Sequence, residues 1–186
     1  REPDGGDSGQ GRSLRPRPAL RVTTASTSAL LHAGLIARRR RDGCFGGVLL
    51  TGASGSGKSG LALQALAVGW RLVADDRTLV FVSAGRPFGR APAALGGLIE
   101  ARGLGVVRAP ALAFAEIDLI VRCGPDPASP RVHEGETEQL LGLEVPVLSL
   151  SPASPGGRLA TVALGFEHLG ERRHRGYQAC PLRQGG

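Results

Sequence analysis

The chain contains no methionine, one tryptophan, one tyrosine, five phenylalanines and a single lysine among 23 basic residues, over a length of 186. It holds only three cysteines, Cys44, Cys123 and Cys180, an odd number, far apart and in no CxxC pair. Zinc sites and a disulfide framework therefore both lack ligands, and a reducing cytoplasm is the compartment that cysteine usage favours. Long apolar runs are missing too. The apolar stretches are short and interrupted by Arg, Asp or Glu, so no membrane-spanning helix is expected, and the first residues, REPDGGDSGQGR, lack the apolar core of a signal peptide. The absent initiator methionine is read as the mark of an incomplete or processed chain. What is present is 41% apolar content in a length that suits one compact domain, so wholesale disorder is not expected.

The net charge of +7 invites a nucleic-acid reading until it is located along the chain. Residues 1–41 carry nine Arg against three acids, residues 42–170 carry ten basic against twelve acidic groups, and residues 171–186 carry four Arg against one Glu. The body is mildly acidic. The excess sits in the two ends and in the run Arg38 to Arg41 rather than in a stripe across a folded face, which argues against a nucleic-acid partner.

Residues 1–26, rich in Gly, Pro, Arg and Ser, read as a disordered leader, and residues 171–186 as a basic flexible tail. Between them, 27–170 read as one catalytic domain. SALLHAGLIA is an apolar run of strand length that ends at the arginine block, which is expected to turn with Asp42-Gly43. GGVLLTG is a strand, KSGLALQALAV a largely buried helix closed by Gly69, WRLVADD a strand ending in two aspartates, and TLVFVSAGRPF a strand with a turn at Ala84-Gly85. The stretch from Ala91 to Pro110 is loose and glycine-rich. AEIDLIVRC is a firm strand, GPDPASPRVHEGE a polar loop, PVLSLS a short strand and GRLATVALGFEHL a last helix. Strands outnumber helices, so the expected fold is an α/β core whose mixed sheet carries more antiparallel pairing than a doubly wound fold would.

Gly52-Ala53-Ser54-Gly55-Ser56-Gly57-Lys58-Ser59 fits G-x-x-x-x-G-K-[ST] in full and stands between an expected strand and an expected helix. The glycines let backbone N–H groups form an anion nest, the helix start offers its positive dipole end, Lys58 reaches the β- and γ-phosphate oxygens and the Ser59 hydroxyl binds Mg²⁺. Glycine spacing alone is weak evidence in a chain with 29 glycines, where a decorative turn is the competing explanation. The solitary lysine favours nucleotide-phosphate binding: it falls on the one slot where a compact ammonium is needed and an arginine fork would not serve. Downstream, Asp75 and Asp76 end a strand where P-loop proteins place a carboxylate beside the metal. Adjacent strand residues face opposite ways, so only one of the two is expected at the phosphates unless the strand breaks there.

Together GASGSGKS, GWRLVADD and LIEARGLGVV resemble the catalytic domain of the bacterial HPr kinase/phosphorylase family, over about residues 28–168. The E-x-R-G-x-G stretch is the most specific of the three. The resemblance implies a P-loop kinase fold of the type shared with phosphoenolpyruvate carboxykinase, with a mixed sheet and few helices. It implies MgATP-dependent phosphorylation of a serine on the phosphocarrier HPr, phosphorolysis of that phosphoserine in reverse, and a homo-oligomer. Carried over by position, Asp76 is the general base and acid, Lys58 stabilises the transferring phosphoryl group, Ser59 and Glu100 hold Mg²⁺, His32 tunes the aspartate, and Arg131 matches a family arginine in a loop of different length. Pro152 to Arg158 is similar to the family's Pro/Gly/Arg loop associated with dephosphorylation, with Ser154 at its first basic position. Gly60 replaces a common acidic residue, the hairpin carrying the arginine block is longer, and the family's N-terminal domain has no counterpart, as in short alphaproteobacterial forms. A P-loop kinase of a small molecule and a non-catalytic ATP-binding regulator are the two competing readings.

Overall fold

A computed structural model describes residues 27–124, 135–150 and 157–170. Eleven strands and two helices build it. The strands are β1 (Ser28–Leu31), β2 (Gly34–Arg39), β3 (Phe45–Thr51), β4 (Arg71–Ala74), β5 (Thr78–Ser83), β6 (Arg86–Arg90), β7 (Leu98–Ala101), β8 (Gly105–Arg108), β9 (Ala115–Cys123), β10 (Thr137–Leu140) and β11 (Leu143–Leu150). Helix α1 spans Lys58–Ala67 and α2 spans Arg158–Gly165, which runs on into a π-type turn over Phe166–Gly170.

Nine strands form one mixed sheet in the order β1-β5-β6-β9-β3-β2-β4, with β11 also pairing β9 and β10 pairing β11. Only β3 with β9 and β9 with β11 are parallel; the other pairs of this sheet are antiparallel. The mixed, strand-rich α/β architecture agrees with the expectation. The remaining hairpin, β7-β8, is a separate two-stranded sheet. It occupies the glycine-rich stretch that the sequence left without assigned structure, because Gly103 and Gly105, both at positive φ, turn the chain tightly between two short arms.

The apolar run SALLHAGLIA departs from its expectation of one strand. The chain breaks between β1 and β2 at His32 and Ala33, so that β1 pairs β5 whereas β2 pairs β3 and β4. An apolar count cannot distinguish one strand from two that bend to different partners. The arginine block is not wholly a turn either: β2 continues to Arg39, and the run disperses into separate environments. Arg38 pairs with Glu167 at 3.3 Å and lies over Trp70, Arg39 lies over Phe45, and Arg40 turns inward.

Each sheet face builds a core. On one, Ile36, Val48, Leu50, Leu119 and Val121 pack under Leu61 and Ala65 of α1 and Val162 and Phe166 at α2. On the other, Leu35, Leu49, Val80, Ile117, Ile120, Val145 and Val147 pack among the strands themselves. Strand β9 changes phase between Ile117 and Leu119, where the register against β3 shifts and Asp118 is the extra residue. Fully buried, Asp118 accepts Arg40 Nε and Nη2, both at 2.7 Å, and Arg40 Nη2 also reaches Glu116 at 3.1 Å. Burial alone would lower the Arg40 pKa; the two carboxylates outweigh it and raise it. Gly46 makes room for this cluster, since a Cβ there would fall on Asp118 Oδ2.

One cysteine expectation fails. Cys44 is disulfide-bonded, whereas Cys123 is free and buried. Spacing along the chain does not report which thiols a fold brings together. No helix among the described residues is long and apolar enough to cross a membrane.

Candidate functional site

The phosphate loop joins β3 to α1 as expected. Its glycines take the positive φ values that the turn requires, 131° at Gly52, 78° at Gly55 and 90° at Gly57, and a Cβ on Gly52 would collide with the Cys123 carbonyl at the end of β9. Gly57 caps α1 with no side-chain bond, and the first turn holds no acid. Amides at a helix start have no partner within the helix, so this end is left to an external anion. Ala53, Ser54 and Gly55 are exposed, Ser56, Gly57 and Ser59 half-buried, and Lys58 buried at 7% exposure.

Lys58 is drawn back along the loop. Its ammonium donates to the carbonyls of Gly52 at 2.8 Å and Ala53 at 2.9 Å, and lies 3.4 Å from His32 Nε2. On its far side, His32 Nδ1 lies 3.0 Å from Asp76 Oδ1. An ammonium can only donate, so its contact makes Nε2 the acceptor, and the proton then sits on Nδ1, facing the aspartate. Lys58, His32 and Asp76 thus form one line of polar contacts from the phosphate loop to an exposed carboxylate. The break between β1 and β2 puts His32 there.

Both aspartates reach the site, by different routes. β4 ends at Ala74, which releases the alternation that would have sent them to opposite faces. Asp75 Oδ1 accepts the Ser59 hydroxyl at 3.0 Å and Oδ2 accepts the Glu100 backbone N–H at 3.1 Å. Asp76 stands at φ 62°, a left-handed conformation that Asp tolerates better than most residues, and turns to His32. Asp75 also ties β7 to the loop, which brings the exposed Glu100 near Ser59. Sequence reasoning assigned Asp75 no role; the paired aspartates were visible, but only the strand break makes both of them useful.

Ser59, Asp75 and Glu100 offer hard oxygen donors beside a phosphate loop, a set that suits Mg²⁺, which takes few protein ligands and fills its shell with phosphate oxygens and water. Among the described residues no group of three or more His, Cys, Asp or Glu could hold a metal by itself. Leu30, Leu31, His32 and Arg77 line a cleft of about 240 Å³. Arg131 and Pro152 to Gly156 lie outside the described residues, whereas Gly157 and Arg158 of the same stretch are described.

Residues 43–116 match the family described as HPr Serine kinase C-terminal domain. The domain is of the HPr serine kinase C-terminal kind. Among its curated relatives, the HPr kinase/phosphorylase of Lactiplantibacillus plantarum is 39% identical over 128 residues, 62% of this chain and 40% of that protein. The one from Stenotrophomonas maltophilia is 36% identical over 152 residues, 73% of this chain and 48% of that protein. The chain thus spans less than half of either relative. The Hpr(Ser) kinase/phosphatase of Coxiella burnetii has the same fold, with a TM-score of 0.63 at 24% identity over 74% of this chain and 95% of that one. In this HPr-kinase-type domain the matched segment runs from the start of β3 through the phosphate loop, both aspartates and Glu100 to the first residues of β9.

Proposed function

We propose that this domain is an ATP- and Mg²⁺-dependent serine kinase acting on an HPr-like phosphocarrier, and a phosphorylase of the resulting phosphoserine. The observation that carries the reading is the contact line Lys58–His32–Asp76, which joins a phosphate-loop cation to an exposed carboxylate through one imidazole. Nucleotide phosphates enter the loop of Gly52 to Ser59, where Lys58 exchanges its carbonyl contacts for phosphate oxygens. Ser59 and Glu100, with Asp75 behind the serine, would hold Mg²⁺, which would supply positive charge against the β- and γ-phosphates. The acceptor serine stands against Asp76, which takes the hydroxyl proton as oxygen attacks the γ-phosphorus in line and the bond to the β-phosphate oxygen breaks, releasing ADP. His32 holds the carboxylate in place through its Nδ1 proton. In reverse, inorganic phosphate attacks the phosphoserine, Asp76 returns the proton to the serine oxygen, and pyrophosphate leaves.

Arg131 is counted among the catalytic residues, and the protein as a cytoplasmic homo-oligomer with 27–170 as its catalytic unit, as the resemblance to this family implies. The test is incubation of the protein with HPr and γ-labelled MgATP, with the modified residue read by mass spectrometry. Label on an HPr serine is expected. ATP consumption with unlabelled HPr but a phosphorylated metabolite would replace the acceptor with a small molecule, and MgATP binding without turnover would make the domain a regulator.

A further inference from the structure

One cation beside the phosphate loop, the last residue of the Pro152 to Arg158 stretch, has no stated part in nucleotide binding. Arg158 is the first residue of α2, 102 positions beyond Ser56, and its Nη2 donates to the Ser56 carbonyl at 3.4 Å. A Cβ on Gly57 would lie 2.8 Å from its Nη1, so the guanidinium sits directly against the loop. Its Nε is buried without a hydrogen-bond partner, and so is the Ser56 hydroxyl. Among the described residues Arg158 forms no ion pair. A guanidinium carries five donors in a fixed fork, and one long contact to a carbonyl together with a hydrogen bond to the Cys123 thiol leaves it without an anionic partner, with Nε unused. Half-buried cations are costly without a counterion. Were Arg158 only a strut between α2 and the loop, short and repeated hydrogen bonds would be expected instead. Its hydrogen-bonded neighbour Cys123 is a thiol whose pKa burial raises against the pull of Arg158 and Lys58, which makes it a poor counterion.

We infer that Arg158 is a second phosphate-binding cation, whose guanidinium leaves the Ser56 carbonyl and pairs with the phosphate chain of the nucleotide when the loop is occupied. It would complement Lys58, giving the loop a point charge from α1 and a planar fork from α2. Gly57, which the loop turn already requires at φ 90°, leaves the space in which the fork lies. This inference rests on the phosphate loop binding nucleotide but not on HPr being the acceptor.

The experiment is equilibrium binding of MgATP, MgADP and adenosine to the wild-type protein and to Arg158→Gln and Arg158→Lys, over a range of salt concentrations, with Tm measured for the unliganded proteins. Arg158→Gln is expected to bind MgATP about 10- to 100-fold more weakly, with a flatter salt dependence, unchanged adenosine binding and a Tm close to wild type. Arg158→Lys should recover part of the affinity by keeping the charge. Wild-type MgATP affinity in Arg158→Gln overturns the inference alone. So do equal losses in both variants accompanied by a lowered unliganded Tm, the signature of a strut. A wild-type protein that does not bind MgATP would overturn the loop reading and the inference together, whereas tight MgATP binding without HPr labelling would overturn only the acceptor.

Discussion

Replacing Asp76 by Asn separates what the carboxylate does chemically from what it does structurally. The substitution keeps shape, and Asn tolerates φ 62° as Asp does, so the backbone needs no adjustment. Asp76 is 61% exposed and His32 50%, which places their 3.0 Å contact in solvent-screened surroundings worth at most about 1 kcal/mol, and an Asn carbonyl still accepts the Nδ1 proton. Stability should therefore fall by less than about 1 kcal/mol, a Tm change of a few degrees. The chemical loss is of another size. Removing a general base slows transfer by about 10² to 10⁴, equivalent to about 3–5 kcal/mol on the barrier. Single-turnover transfer from γ-labelled ATP to HPr, measured at saturating nucleotide beside the MgATP dissociation constant, reads both quantities. Transfer within tenfold of wild type would refute the assignment of Asp76 as the base. A drop in transfer matched by an equal drop in nucleotide affinity would refute it too, because the residue would then be serving the nucleotide rather than the acceptor.

Asp75→Asn has a different expected signature: its loss should weaken binding of MgATP more than of metal-free ATP, because Asp75 holds the Ser59 hydroxyl, and a titration at varied Mg²⁺ reads the difference. Arg40→Met removes the bidentate partner of the fully buried Asp118 and should destabilise the fold by about 3–5 kcal/mol, measured by urea unfolding; a loss below 1 kcal/mol would show that the cluster is not a structural ion pair. Burial raises the Cys123 pKa, so its thiolate is scarcer than in an ordinary thiol until the pH passes the usual cysteine range. Iodoacetamide at pH 8 should leave Cys123 unmodified in the native protein and label it after unfolding, which peptide mapping would check.

The phosphate loop was legible from residues alone because its chemistry is local. Gly52, Gly57 and Lys58 serve through backbone angles and one ammonium within eight consecutive positions, and the strand and helix on either side follow from GGVLLTG and KSGLALQALAV. The double aspartate and Glu100 were visible for the same reason, as short motifs at the ends of elements. Arg158 was seen only as the last residue of a Pro/Gly/Arg stretch, with nothing in its neighbours to suggest the loop it touches. The β7-β8 hairpin was hidden by its composition, since arms of four residues around two glycines give no usable periodicity.

Tertiary structure decided the rest, and in each case the reason is a contact between segments distant in sequence. His32 lies between Lys58 and Asp76 because the chain bends between β1 and β2 to follow two different partners, and the strand pattern of SALLHAGLIA does not encode that bend. The arginine block looked like one patch of charge, yet Arg38, Arg39 and Arg40 meet Glu167, Phe45 and Asp118, from three separate elements. Sequence determined the groups that can bind phosphate and move a proton, since these are properties of residue types and local angles. Their alignment in a single line is a property of sheet order, fixed only when the two apolar faces of the sheet are buried together.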